Sequence, residues 1–269
     1  MERKIVLCIV VTILVIILFP IIWMFFLSIK PIWVAFLSPP RLFFIPTFDA
    51  YWSTFISGPY SSYLVNSLII GGSTSVISLI LGALAAYGFV RFRFTGRKIL
   101  LFWILTNRMI PPIVIALPMY IIMARIGILD THLAVVLGHL GFILPFSIWM
   151  MTGFLQEIPA EIEEAALVDG CSRLGAFARI LMPVSRDGLL ATGIFCFAFS
   201  WNEFLFALML TLHKAKPIPV AITEFWTQMT VGWTEIAAVS TVYIIPGILV
   251  AVLLQRYLLR AFASRVTNT

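Results

Sequence analysis

Six stretches of the 269-residue chain are apolar over lengths that suit a bilayer: Ile5 to Phe26, Tyr63 to Val90, Ile99 to Met123, Leu133 to Gly153, Leu189 to Leu212 and Ala237 to Leu258. About 20 such residues cross the hydrocarbon layer as a helix. The pattern therefore predicts an all-α, polytopic membrane helix bundle with six transmembrane helices, forming one domain over residues 1–269. The first run follows Glu2-Arg3-Lys4. It is longer than the apolar core of a secretory signal and lacks a small-residue cleavage site, so it reads as a span kinked near Pro20. In the second run Gly82, Ala85, Ala86 and Gly88 give small faces on which helix backbones approach closely. Arg108, Pro111, Pro112 and Pro118 interrupt the third run, and Pro246 interrupts the sixth. Broken helices of this kind are tolerated beside protein or a water-filled cavity.

Between the first two runs, Ser28 to Ser62 is rich in proline and aromatic residues, which favour the membrane–water interface. A short interfacial helix is expected from Phe48 to Ile56. The longest stretch that cannot sit in lipid is Glu157 to Pro183. It contains Glu157, Glu161, Glu163, Glu164 and Asp169. Pro159 suits a first helical turn, and the glutamates behind it favour the positive end of the helix dipole. Gly170 can take the left-handed conformation that ends a helix, and Ser172 can cap the next one. Ile162, Ala165 and Ala166, then Leu174, Phe177 and Leu181, give each helix one apolar stripe. A helix-turn-helix on the membrane surface follows. Its acidic first helix makes phosphate attraction poor, so nucleic acid is not an expected partner.

Composition and charge settle the class and the orientation. Hydrophobic residues make up 61% and charged residues 11%, with a mean hydropathy of +1.06, which excludes an ordinary soluble domain. The net charge of +6 is scattered in small groups between apolar runs. Arg3, Lys4, Arg91, Arg93, Arg97, Lys98, Arg173, Arg179, Arg186, Arg256, Arg260 and Arg265 fall on one side, against Lys30, Arg41, Arg125, Lys214 and Lys216 on the other. The basic-rich side is cytoplasmic by the positive-inside rule, which puts both termini and the 157–183 loop inside. Cys8, Cys171 and Cys196 have neither disulfide nor metal-ligand spacing.

The chain carries no Gly-x-x-x-x-Gly-Lys-Ser/Thr stretch, His-Glu-x-x-His or Gly-x-Ser-x-Gly, so no catalytic residue, bound cofactor or metal site is expected. His132, His139 and His213 read as isolated interfacial residues near the external ends of spans. Two ionisable residues do fall within spans, Arg108 and Glu203. Buried charges in lipid normally face the interior and find partners. Either the two pair and pin their spans, with Asn202 completing the hydrogen bonds, or they line a solute path on which Trp201 and Phe204 can stack against a sugar ring.

Glu164-Ala165-Ala166, Gly170 after three residues, then Ile180, Met182 and Pro183 resemble the EAA signature of the membrane-spanning subunits of bacterial ABC importers. Met182 stands where that signature usually has leucine. Asn66-Ser67-Leu68, Gly82 to Tyr87, Arg108 to Pro111 and Trp201 to Leu208 are similar to the carbohydrate-uptake branch, in particular the second permease of maltose-type systems. The resemblance implies a multi-pass inner-membrane permease with no enzymatic activity of its own. It further implies two separate ATP-binding subunits that hold ATP and Mg, a second homologous permease, and an extracytoplasmic solute-binding protein. On the same basis residues 157–183 would be a coupling loop. Glu161, Glu164, Ala165, Ala166, Asp169, Gly170, Leu174 and Phe177 would then contact the ATPase. The imported solute would be a sugar or polyol. A self-sufficient secondary carrier or channel for a small polar solute is the alternative. It predicts internal repeats with half-helices at matching positions, and no clear repeat is visible.

Overall fold

Apolar runs this long leave the backbone only one way to satisfy its own hydrogen bonds in lipid within a single segment, and that is the helix. The computed structural model describes residues 2–39, 41–226 and 232–266, and every regular element among them is helical. In chain order, with 3-10 turns at Asn107–Met109 and Ile222–Trp226 besides, these are α1 Glu2–Ser28, α2 Ile32–Ala35, α3 Asp49–Tyr51 with a π-helical continuation Trp52–Ile56, and α4 Tyr60–Arg91. Next come α5 Arg97–Thr106, α6 Pro112–Arg125, α7 His132–Gln156, α8 Ala160–Val168 and α9 Arg173–Ala176. The chain continues through a π-helical turn at Phe177–Leu181, α10 Met182–Val184, α11 Arg186–Trp201, α12 Leu205–Leu210, α13 Ile218–Ala221 and α14 Trp233–Val266.

Among the described residues, four helices are long and apolar enough to cross a membrane: Arg3–Ser28, Tyr60–Arg91, His132–Gln156 and Trp233–Leu253. Up to six spans result if each of two bent pairs counts as one. One pair is Arg97–Met109 with Pro112–Arg125, bent by 93° where Pro111 and Pro112 interrupt the ladder. The other is Arg173–Val184 with Arg186–Trp201, bent by 82°. The expected continuous helix over Leu189 to Leu212 is not found. α11 closes at Trp201, and α12 starts anew at Leu205 after an irregular step through Asn202, Glu203 and Phe204. The interfacial helix expected from Phe48 to Ile56 is present as 49–56.

The chain forms two compact units. The first is Met1–Val65 with Ile218–Pro246. α1 is apolar all round, and its most apolar window buries none of its residues within the chain, as suits a span surrounded by lipid or other subunits. The interfacial segment is held at Ser28, whose hydroxyl meets that of Tyr51 at 2.7 Å, and at Lys30, whose ammonium lies over Trp23 and Phe44. Tyr60, Ile218, Ala221 and Val239 make a small core, with Phe225 stacked on Tyr60 at 4.9 Å.

The second unit is Asn66–Pro217 with Gly247–Thr269. α7 is its centre, with α11, α12 and α4 packed on it. Gly82 of α4 lies directly on Ser147 of α7, where a Cβ would overlap the serine side chain. Ala83 and Ala86 are buried beside it, whereas Gly88 faces open space, so the small-residue face is narrower than its sequence spacing suggested. Ala83, Ala86, Tyr87, Met151, Leu155, Ile158, Phe177 and Leu181 form one core cluster, and Ile143, Phe146 and Cys196 form another. The side chains of Arg256, Arg260 and Arg265, part of the charge count, lie outside the described residues, as does 227–231 of the loop before α14.

Candidate functional site

Residues 157–183 fold as two short helical arms around a turn. Pro159 sits at the N-cap of α8, one place earlier than a first-turn proline, and Glu161 and Glu163 occupy the first turn. Gly170 has φ +89°, a conformation that a Cβ makes costly, and its amide donates to the carbonyl of Leu167. The Ser172 hydroxyl accepts from the Gly175 amide at 3.1 Å and caps the second arm. Glu157, Glu161, Glu164, Ala165, Asp169 and Gly170 are exposed, and Leu174 is 68% exposed. Ala166 and Phe177 are not part of that surface. They are 7% and 8% exposed, and Phe177 packs in the core cluster with Tyr87 and Leu181.

One acid of the five behaves differently from the rest. Glu163 is 4% exposed. Its Oε2 lies 2.8 Å from Arg91 Nε, and its Oε1 accepts a 2.6 Å hydrogen bond from the Tyr87 hydroxyl. Arg91 also donates to the carbonyl of Ile158 at 3.0 Å. Sequence reasoning missed this residue, because its neighbours in an acidic run are all solvated.

Of the two arrangements left open for the intramembrane residues, the ion pair is not found. Arg108 and Glu203 do not pair. The Arg108 guanidinium sits among three rings, 4.8 Å from Phe142, 5.1 Å from Phe146 and 5.2 Å from Phe199. Electron-rich ring faces take the role of a counter-ion there. Glu203 lies at the break between α11 and α12, where its two carboxylate oxygens accept from the Phe206 and Ala207 amides at 3.0 and 3.2 Å. Its side-chain neighbour is His139, with Nε2 3.0 Å from Oε2. His139 is 1% exposed, and its Nδ1 bonds the Ser200 hydroxyl at 2.7 Å, so it is a core residue and not an isolated interfacial one. Trp201 is also buried, at 3% exposure, and stacks on Phe197, which leaves no face for a sugar. Asn202 and Phe204 remain exposed.

At the other ends of these helices, Asp130 and Asn66 tie down the stretch after α12. Asp130 has φ +58° and its carboxylate accepts from four consecutive backbone amides, those of Leu212, His213, Lys214 and Ala215, at 3.0 to 3.2 Å. Burial alone would raise its pKa, but the amide donors outweigh that and hold it at about 2. Asn66 Nδ2 donates to the carbonyls of Lys214 and Lys216, both at 2.9 Å. Asn66 Oδ1 is then the acceptor for His132 at 2.7 Å, which places that imidazole's proton on Nε2.

Residues 78–264 match the family described as binding-protein-dependent transport system inner membrane component. The chain belongs to that family. It is an inner-membrane ABC transporter permease, and the matched region takes in the helix-turn-helix, the Arg108 break and the Glu203 break. The trehalose transport system permease protein SugB of Mycobacterium tuberculosis is 37% identical over 92% of this permease and 91% of its own length. The trehalose/maltose transport system permease protein MalG of Thermococcus litoralis is 31% identical over 93% and 91%. A probable ABC transporter permease of Sinorhizobium fredii is 35% identical over 90% and 87%. Among solved structures, a chain of a bacterial ABC transporter involved in import of the acidic polysaccharide alginate superposes with a TM-score of 0.77 at 24% identity, covering 95% of this permease and 96% of that chain. A second alginate transporter structure, in complex with alginate pentasaccharide-bound periplasmic protein, gives 0.67 at 15% identity. These two likenesses are of fold.

Proposed function

We propose that this permease is one of two membrane subunits of an importer for a sugar or a related polyol. In this reading it has six spans and both termini in the cytoplasm. Two separate ATP-binding subunits, holding ATP and Mg, drive it, and an extracytoplasmic solute-binding protein supplies it. The sugar assignment is supported by the relatives named for trehalose and maltose. The binding protein is supported by the alginate transporter complexed with its periplasmic protein.

The observation that carries the reading is the exposed tip of the 157–183 loop, where Glu164 and Ala165 of the EAA pattern, with Glu161, Asp169, Gly170 and Leu174, stand free of the chain's own core. Glu164 is the charged contact with an ATPase groove, Ala165 keeps that face slim, and Gly170 sets the turn. Closure of the ATP-binding subunits draws such loops together, and the connected spans exchange inward for outward access. Nucleotide and solute each bias that exchange through different affinity for the two states. Along the solute path, Arg108, Asn202 and Phe204 are the residues open to solute, with Glu203 and Trp201 supporting them from behind.

The test is Glu164→Lys and Gly170→Val in the complete transporter. Both variants insert in the membrane, and both lose the ATP-binding subunit or its coupling to uptake. Wild-type uptake by both would overturn the reading.

A further inference from the structure

The 157–183 loop is joined by the chain to α7 before it and, through α10, to α11 after it. Neither connection leads to α4. Yet both arms of the loop grip the C-terminal end of α4 through side chains. From α8, Glu163 meets Arg91 and Tyr87, and Arg91 reaches on to the carbonyl of Ile158 just before that helix. From the second arm, the Phe177 ring lies 5.0 Å from the Tyr87 ring, and the Arg173 guanidinium lies 5.3 Å over Phe92, itself edge-on to Tyr87 at 5.7 Å.

The burial of this contact separates it from an ordinary surface ion pair. Arg91 and Glu163 side chains are 12% and 5% exposed, so their attraction is little screened and a lost partner leaves an uncompensated charge behind. The two carboxylate oxygens are divided between Arg91 and Tyr87, which fixes the glutamate in orientation as well as position. Beneath it Ala83, Ala86, Leu155 and Leu181 close the core. A few residues further along α4, Gly82 rests on Ser147, so a shift of α4 cannot leave α7 undisturbed.

We propose that Tyr87, Arg91 and Glu163 form a clamp that makes α4 the third span moved by the loop, so that displacement of the exposed tip drives α4 together with α7 and α11. These are positioning residues and need touch neither nucleotide nor solute. The proposal rests on the reading that the loop docks on a separate ATPase. It adds that the acid next to the exposed Glu164 has the opposite task, gripping inward while Glu164 faces out.

The experiment uses the complete transporter in nanodiscs, with spin labels at Ala178, exposed on the loop's second arm and outside the face offered to the ATPase, and at Phe94, just beyond α4. With native side chains the distance between the labels stays the same in the nucleotide-free and vanadate-trapped states, because loop and α4 move as one body. In Glu163→Gln it shifts or broadens on trapping, while the ATP-binding subunit is still retained. Uptake of radiolabelled maltose and trehalose per ATP hydrolysed falls about tenfold, within the usual range of coupling energies. Tyr87→Phe, which removes one hydroxyl and spares the ion pair, shows the same effects at smaller size and serves if the glutamine variant does not assemble. Unchanged distances and unchanged uptake per ATP in both variants, with the ATP-binding subunit retained, would overturn the clamp alone. Failure of the unsubstituted permease to retain any ATP-binding subunit would overturn the docking reading and the clamp with it.

Discussion

Asp130→Asn isolates one charge with little else changed. Both residues tolerate the left-handed backbone at this turn, where φ is +58°, so the exchange adds no strain. What it removes is an acceptor with two equivalent oxygens facing the amides of residues 212 to 215. An asparagine presents one acceptor oxygen and turns an NH2 group toward those amides. A carboxyl whose pKa moves from an ordinary 3.8 to about 2 on folding stabilises the fold by about 2.5 kcal/mol. Solvent screening at this partly exposed turn lowers that to about 1 kcal/mol. The permease is large enough that the loss reads as a fall of roughly 2–4 °C in melting temperature.

The pH dependence gives the sharper check. Because the folded pKa lies below the unfolded one, the contribution is complete above pH 3.8 and disappears as pH falls through about 2. Thermal unfolding of the detergent-extracted protein, followed by tryptophan fluorescence, should therefore show a gap between native and Asp130→Asn protein that is constant from pH 7 to pH 5. The gap should narrow below pH 4. A gap that is absent at pH 7, or that keeps its full size at pH 2, would refute the argument that ionised Asp130 holds this stretch.

Two further substitutions address the helix contacts. Gly82→Leu forces a side chain into Ser147 and should destabilise by about 1–3 kcal/mol. Gly88→Ala, with nothing within 4 Å of its added carbon, should be neutral or gain up to about 1 kcal/mol of helix propensity. Equal melting temperatures for the two variants would contradict the packing described. For the buried contact of His139 with Glu203, His139→Ala and Glu203→Gln should each cost about 1–3 kcal/mol by weakening or removing a buried hydrogen-bonding contact. The double variant should then cost clearly less than the sum, a cycle read by the same melting assay.

The extent to which these features could be read from the chain follows from the physics each one uses. Apolar run length is a long-range, redundant signal, so the helical class and the approximate spans were legible, as were the Gly170 turn and the Ser172 cap. The break in the fifth run was not, because it depends on Glu203 capping α12 across three residues that look like any apolar helix containing one polar pair. His139 was missed for a related reason. Its partners Ser200 and Glu203 are about 60 residues away, and no local pattern announces them. Of the two arrangements the chain left open for Arg108, pairing with Glu203 is not the one found, because three phenylalanines stabilise the guanidinium without any acid.

The loop shows the same limit on the scale of a single helical turn. Hydrophobicity picks Ile162, Ala165 and Ala166 as the inward stripe of α8, yet the buried arc is Glu163 and Ala166, with Leu167 partly covered. The true stripe is turned by about one residue, or roughly 100°. A glutamate lies at its centre because Arg91 and Tyr87 stand ready on α4 to receive it. An acid with a waiting arginine and hydroxyl can displace an isoleucine from a core position, and that choice is invisible until the two helices are brought together. The rotation has a functional consequence. By turning Glu163 inward it turns Glu161, Glu164, Ala165 and Val168 outward together, so the residue that secures the loop to α4 also decides which face of the EAA pattern a partner can reach.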